Sequence, residues 1–351
     1  EGHFLTSTSG IFQVNQLTGF GFVAQGTGAR KGELVLATRG TNFETNKFDL
    51  ATDANIGYGI GPGGHVVHRG FLKTFKGYQR QLVEMIGSVR SSGITTIHCM
   101  GHSLGGALAN LNAALLKNAG LNVHLYTIGA PRVGMFGFAH DLTRDIPAKQ
   151  IHRVSNMNDP VPMVPVFPFF HASKHPSEYV VSKGDKIDMA QHAMADGYAC
   201  LKQANAWSDL CVPAAHDLMQ AGSLQDQMGR IGGGATFSSK ALQAITAAMT
   251  KLAKAIGYMG FATLQAGFSV QFTVFDVLAE LLTKAVALGN KMKDIAVGIV
   301  NAMMSFLGRV KTQVQDSTVS FLRYVLATFV SELGNRALQA MRRALQGGRM
   351  S

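Results

Sequence analysis

A chain of 351 residues and 37.5 kDa has room for two domains at roughly 100–200 residues each, and its 46% hydrophobic and 15% charged content excludes both general disorder and a small disulfide-stapled scaffold. The net charge of +11 is unevenly placed, because residues 1–220 carry 18 Lys+Arg against 15 Asp+Glu and residues 221–351 carry 14 against 6. No basic patch with interleaved aromatics accompanies that charge, so nucleic acid is not expected as a partner.

Taken in order, the first part alternates short β-rich runs with helical patterns. Strands are predicted at Gly21–Gln25, Glu33–Arg39, Thr96–Met100, Asn122–Ile128 and Ile151–Ser155, with a hairpin-like pair Glu178–Val181 and Lys186–Met189. Helices are predicted at Phe71–Arg90 and Leu104–Asn118, the second with Leu104, Leu108, Leu111 and Leu115 on one face. Strands separated by helix-length segments predict a mostly parallel α/β sheet. All nine prolines and all twelve histidines lie before position 217. Past about Ser223 the pattern is helical: Ser239–Tyr258, Thr263–Leu288, Lys291–Leu307 and Val310–Leu345, with Ala, Met and Leu at three- and four-residue spacing. Such stripes predict helix–helix packing. The uncharged run Ala255–Phe275 carries two glutamines and suits a buried or interfacial helix better than a bilayer span. The expected division is therefore an α/β unit over residues 1–222 and an all-α, basic unit over 223–351. Cys99, Cys200 and Cys211 lack metal-ligand spacing, and Cys200 with Cys211 is the pair available to an oxidising compartment.

Gly101-His102-Ser103-Leu104-Gly105 fits the pattern G-x-S-x-G. In a chain with 40 glycines five letters are weak, but the predicted strand running into them and the helical pattern following them supply the strand–turn–helix context that the chemistry needs. A serine hydroxyl is a weak nucleophile until it stands exposed on a tight turn where a base reaches its proton. Ser103 is the expected nucleophile, and the Leu104 N–H, at the positive end of the following helix, is an expected oxyanion donor. A second donor is expected after an earlier strand, where Arg39-Gly40-Thr41 offers the N–H and hydroxyl of Thr41. Asp159 follows a strand in a loop, placed either to brace a histidine or to form an Asx-type turn before Pro160.

Five ordered segments, Leu36-Ala37-Thr38-Arg39-Gly40-Thr41, Val67-His68-Arg69-Gly70-Phe71, Gly101-His102-Ser103-Leu104-Gly105-Gly106, Ile128-Gly129-Ala130-Pro131-Arg132-Val133-Gly134 and Arg153-Val154-Ser155-Asn156-Met157-Asn158-Asp159-Pro160-Val161-Pro162, together resemble the class 3 (fungal-type) lipases of the α/β-hydrolase fold. The resemblance covers about residues 20–220. It implies an α/β-hydrolase with a mostly parallel central sheet, here followed by an all-α C-terminal domain, and a Ser-Asp-His acyl hydrolase with Ser103 as nucleophile, Asp159 as acid, and Thr41 with the Leu104 N–H as oxyanion hole. It implies no metal and no cofactor. For the base it points to His216, in Ala215-His216-Asp217-Leu218, at the family's distance from the acid; His192, close after the Lys186–Met189 run, is the runner-up.

Residues 42–47 are short and polar where fungal members carry a lid helix, so the cover is expected from the helical tail or from Pro162–Phe170, whose Phe167, Phe169 and Phe170 suit an acyl channel or plain core packing. The basic tail suits an anionic membrane surface. The expected function is hydrolysis of lipid esters, of lipase or phospholipase A type, by a protein secreted or delivered to a membrane surface, with a bacterial effector and an inhibitory or immunity protein partner as analogies. The alternatives are a membrane-binding or pore-forming protein with an auxiliary hydrolase unit, and a soluble short-chain carboxylesterase.

Overall fold

The computed structural model describes residues 2–7, 18–40, 57–172, 178–182, 187–210, 239–255, 274–309 and 318–347. A seven-stranded sheet runs in the order β1-β2-β3-β6-β7-β9-β11, with β1 at Gly2–Ser7, β2 at Thr18–Gln25, β3 at Glu33–Thr38, β6 at Thr96–His102, β7 at Asn122–Ile128, β9 at Ile151–Ser155 and β11 at Glu178–Val180. The strands from β3 to β11 pair in parallel, and β1 and β2 add an antiparallel edge. A smaller antiparallel sheet, β10-β8-β5-β4, joins Phe169–Phe170, Gly134–Met135, Val66–His68 and Tyr58–Ile60. The chain thus has the predicted α/β architecture.

Alternation along the central strands sorts the two faces. Ile97, Cys99, Val123 and Leu125 are buried under helices. Their neighbours His98, His124 and Tyr126 point the other way, into a ladder of stacked rings continued by His152 and Trp207. Between β6 and β7 lies α3 (Leu104–Asn118). The four-leucine stripe predicted for it understates its burial: residues 104–114 and Leu116 are all buried. The predicted single helix over 71–90 is two, α1 (Arg69–Lys76) and α2 (Gln79–Ser91). The break has a cause at Tyr78, which leaves helical geometry so that its ring is buried and its hydroxyl donates to Asn112 Oδ1 at 3.0 Å.

Two further expectations are corrected. The predicted hairpin after residue 178 is absent from the described residues: β11 lies parallel to β9, and Met189–His192 is a 3₁₀ turn. Asp188 explains the turn, since its carboxylate accepts the Ala190 N–H at 2.9 Å as a helix N-cap and so stops the extended run. In the segment 162–170, Phe167 and Phe169 are buried in the core and Phe170 is packed against it, which favours packing over an open acyl channel.

The helices after α4 (Phe136–Asp145) are α5 (Ser239–Ala255), α6 (Val274–Ala287), α7 (Asn290–Phe306) and α8 (Val319–Gly347). Their apolar stripes meet as predicted, burying Leu252, Leu278, Leu282, Ile299, Phe329 and Leu333, each contributing about 1.5–3 kcal/mol when fully removed from water. One apolar cluster runs without a break from the sheet into these helices. At the seam α8 packs against α6 and α7 on one side and, on the other, against the turns 161–163 and 189–192. None of the described helices is long and apolar enough to cross a membrane; the run 255–275 falls largely outside the described residues, as does Cys211, and among the described residues Cys200 has no disulfide partner.

Candidate active site

β6 carries the chain straight into Ser103, which adopts φ 57° and ψ −130°. Among the described residues it is the one non-glycine with positive φ, a conformation costing on the order of 1–3 kcal/mol and held only where the surroundings over-determine it. Here they do. Ser103 N–H donates to Ile128 O at 3.0 Å on the neighbouring strand, and its own carbonyl accepts from Gly106 N–H at 2.9 Å. The flanking glycines make the turn sterically feasible: a Cβ on Gly101 would lie 2.2 Å from the Gly105 carbonyl carbon, and one on Gly105 would lie 2.1 Å from Thr38 O. Thr38 then ties β3 to the turn, its hydroxyl donating to Gly105 O at 2.8 Å.

Asp159 is fully buried four residues past β9, and both readings of it are realised together. Its Oδ1 accepts Val161 N–H at 2.8 Å, closing an Asx-type turn at Pro160. Its Oδ2 accepts two donors, His192 Nδ1 at 2.8 Å and the Tyr198 hydroxyl at 2.6 Å. With Nδ1–H committed to the carboxylate, His192 Nε2 is the unprotonated nitrogen, and it lies 2.8 Å from Ser103 Oγ. A proton acceptor is therefore in place beside the hydroxyl.

The imidazole between Ser103 and Asp159 thus belongs to His192, not to the expected His216. His216 lies outside the described residues, and the place expected for it is occupied. Hydrogen bonds on several sides hold the turn that carries His192. Asp188 N–H donates to Asn158 O at 2.9 Å, pinning the turn to the acid loop. Asn156 Nδ2 donates to Gly197 O at 2.9 Å and Gln191 Oε1 at 3.1 Å. The His102 ring stacks on the His192 ring at 4.7 Å, and its Nε2–H donates to the His192 carbonyl at 2.9 Å. Burial pushes His102 down to about 3, so it stays neutral and keeps that donor near pH 7. Burial and the adjacent Asp159 carboxylate raise the Tyr198 hydroxyl well above the usual phenol range, so it remains a donor. Of these supports, Thr38, His102, Asn156 and Tyr198 were not anticipated as site residues, although the first three lie within the family-like segments.

The expected oxyanion donors divide. Leu104 heads α3, a fifteen-residue helix whose first N–H groups have no acceptor within it, directly after Ser103. Thr41 lies outside the described residues, as does the short segment 42–47; the adjacent Gly40 brings the end of β3 against the turn, a Cβ built on it lying 3.7 Å from Ser103 Cβ. Arg132 is buried and holds the 162–170 segment, its backbone N–H donating to Val164 O at 2.8 Å and its guanidinium to Pro165 O at 3.2 Å. His171, half-buried, donates its Nε2–H to Pro162 O at 2.8 Å. The site is closed: Ser103 is 6% exposed, and Asp159 and His192 are 0% exposed. Among the described residues no group of three His, Cys, Asp or Glu side chains is arranged to hold a metal.

A parallel sheet, a strained serine between strand and helix, and a histidine and aspartate on later loops in the chain order Ser-Asp-His define an α/β-hydrolase. Residues 35–169 match the family model described as Lipase (class 3). A secreted mono- and diacylglycerol lipase 1 of Fusarium solani is 32% identical over 199 residues, covering 52% of this chain and 57% of the relative. A phospholipase A1-II 4 of Oryza sativa subsp. japonica is 42% identical over 77 residues, covering 20% of this chain and 19% of the relative. Among solved structures, the Rhizomucor miehei lipase propeptide complex, as a deletion mutant, matches at 28% identity with a TM-score of 0.41, covering 52% of this chain and 56% of that one. The matched stretch spans little more than half the length of the first of these relatives.

Proposed function

We propose that the protein is a serine acyl-ester hydrolase acting on lipids, and that Ser103, His192 and Asp159 are its catalytic residues. The observation that carries this reading is the unbroken hydrogen-bonded line from Ser103 Oγ through both nitrogens of His192 to Asp159 Oδ2. His192 Nε2 takes the Ser103 proton as the oxygen attacks the ester carbonyl; Asp159 stabilises the imidazolium that forms; the Leu104 N–H, with Thr41 as the second donor by family resemblance, holds the oxyanion. His192 then protonates the leaving alcohol, and water attacks the acyl-enzyme with His192 again as base.

Lipid as the substrate class rests on the match of residues 35–169 to the class 3 lipase model and on relatives that include a mono- and diacylglycerol lipase and a phospholipase A1. The buried serine agrees with that class, because a closed site must open before an ester enters and a lipid interface supplies the energy to open it. We assign the catalytic unit to residues 1–222 and a basic helical unit to 223–351, the second serving engagement of an anionic membrane surface by a protein that is secreted or delivered there. The deciding assay is fatty-acid release from phospholipid, diacylglycerol and a p-nitrophenyl ester by the wild type and by Ser103→Ala, His192→Ala and His216→Ala. Release abolished by the first two substitutions and retained by the third is expected; undiminished release from Ser103→Ala overturns the mechanism.

A further inference from the structure

A cleft of about 330 Å³ opens where α8 crosses the turn that carries His192. One wall is Ile187 and Met189, the latter the first residue of that turn. The other wall is a stripe of α8: Glu332, Asn335, Arg336, Gln339 and Arg342. Their spacing of three and four residues puts them on one helical face, beside the face that buries Leu333, Ala337, Ala340 and Met341 in the core. A seam needed only for packing would be apolar on both walls. This one is polar and positively charged along α8, apolar along the turn, and open.

We propose that this cleft binds the head group of a hydroxylated anionic phospholipid of the phosphatidylglycerol type, a proposal that rests on lipid esters being the substrate class. Two arginines face one carboxylate, so the lining carries a net positive charge. Arg336 is already oriented, its Nε donating to Glu332 Oε1 at 3.0 Å and its guanidinium lying 4.5 Å over the Phe306 ring. Arg342 is exposed and has no ion pair among the described residues, which leaves its planar fork available for two phosphate oxygens. Glu332, Asn335 and Gln339 add acceptors and amide donors suited to glycerol hydroxyls, which a choline head group lacks. Ile187, Met189 and Leu338 form the apolar part of the lining, so the phosphate end of the lipid is held on α8 while its glycerol ester end faces the turn that ends in His192. The α8 wall lies wholly outside the matched residues 35–169, so this specificity is a property of the helical unit.

The test uses monomeric short-chain lipids, which present no charged surface: dihexanoyl phosphatidylglycerol against dihexanoyl phosphatidylcholine, with KM measured for each. The wild type is expected to favour the first by about tenfold, the scale of one charge-assisted contact. Arg342→Glu removes most of that preference and Arg342→Lys keeps most of it. Arg343→Glu, the same charge change one residue on and outside the cleft lining, leaves the preference intact. Absence of a preference in the wild type, an equal loss for both lipids in Arg342→Glu, or an equal effect from Arg343→Glu overturns the subsite. Should no ester be hydrolysed at all, calorimetric binding of the same two lipids to the same proteins reads the subsite separately: phosphatidylglycerol bound by the wild type and lost in Arg342→Glu sustains it, and failure to bind overturns it.

Discussion

The loops around His192 and the C-terminal helices both bury side chains in the interior, yet they are held by different forces. Around His192 the contacts are directional: the Asp188 cap, the Asn156 amide, the Tyr198 hydroxyl and the His102 ring each fix one donor–acceptor pair. Around α8 they are mostly apolar, with polar pairs such as Arg323–Asp276 at the margins. Hydrogen bonds add about 0.5–1.5 kcal/mol net apiece, or about 1.5–3 where one partner is charged, and they depend on geometry, whereas apolar burial is indifferent to direction. The fold thus uses its apolar surface for cohesion and its buried polar groups to aim one imidazole.

The largest effect that follows is on turnover. Ser103→Ala should lower kcat by several orders of magnitude with little change in unfolding midpoint, read by ester hydrolysis beside a urea titration; His192→Ala should lower kcat as far, since members of a triad act as a unit, and should also lower the midpoint, because it empties a fully buried site and takes a partner from Asp159. A substitution in the helical unit should behave in the opposite way. Leu333→Ala empties a fully buried site on α8 and should cost roughly 2–5 kcal/mol of stability with far less effect on kcat of the folded fraction; a loss of turnover matching Ser103→Ala would erase the distinction between the regions. Tyr198→Phe lies between them. It removes one hydrogen bond to the Asp159 carboxylate, worth roughly 1.5–3 kcal/mol, and should lower kcat about tenfold or more while Asp159 keeps its bonds to His192 and Val161.

The smallest expected effect is the response to mild acid. Burial holds His68 at about 4 and His102 at about 3 in the folded protein, against roughly 6.5 when unfolded. The unfolded chain therefore binds more protons below that value, and the stability due to these neutral rings is complete above about pH 6.5 and is lost as pH falls towards 4. Lowering the pH from about 7 to 6 should remove roughly 1 kcal/mol, at 1.36 kcal/mol per unit for each group once below its unfolded pKa. Urea midpoints at the two values measure it, and His102→Gln should flatten part of the slope.

Much of this was legible in the residues themselves. The sheet strands announce themselves by alternation, and Ser103 by its place between a strand and a helix. Asp159 was visible as a residue with two local uses, and both are realised because a carboxylate has two oxygens. The residues left the choice between His216 and the runner-up His192 open, because His192 is placed by groups far away in sequence: Asp188 hydrogen-bonds to Asn158, and the ring meets Ser103, 89 residues upstream. Local wording and distance from the acid pointed to His216 instead. One local signal was available: Asp188 before Met189 and Ala190 is an N-cap pattern, which starts a turn instead of ending a strand. Phe167 and Phe169 left two readings open because a proline-rich aromatic segment has the same composition in a core and at an entrance.

The division of labour within Asp159 has an evolutionary consequence. Asparagine has the same shape, but its amide is a donor at one end, and either way round that end would meet a hydrogen: the Val161 amide on one side, or the His192 ring and Tyr198 phenol on the other. No rotation of the side chain escapes the conflict. A lineage could repaint α8, lengthen its loops or trade its lipids, but the isostere one mutation away from this aspartate is closed to it for as long as the imidazole must face the serine.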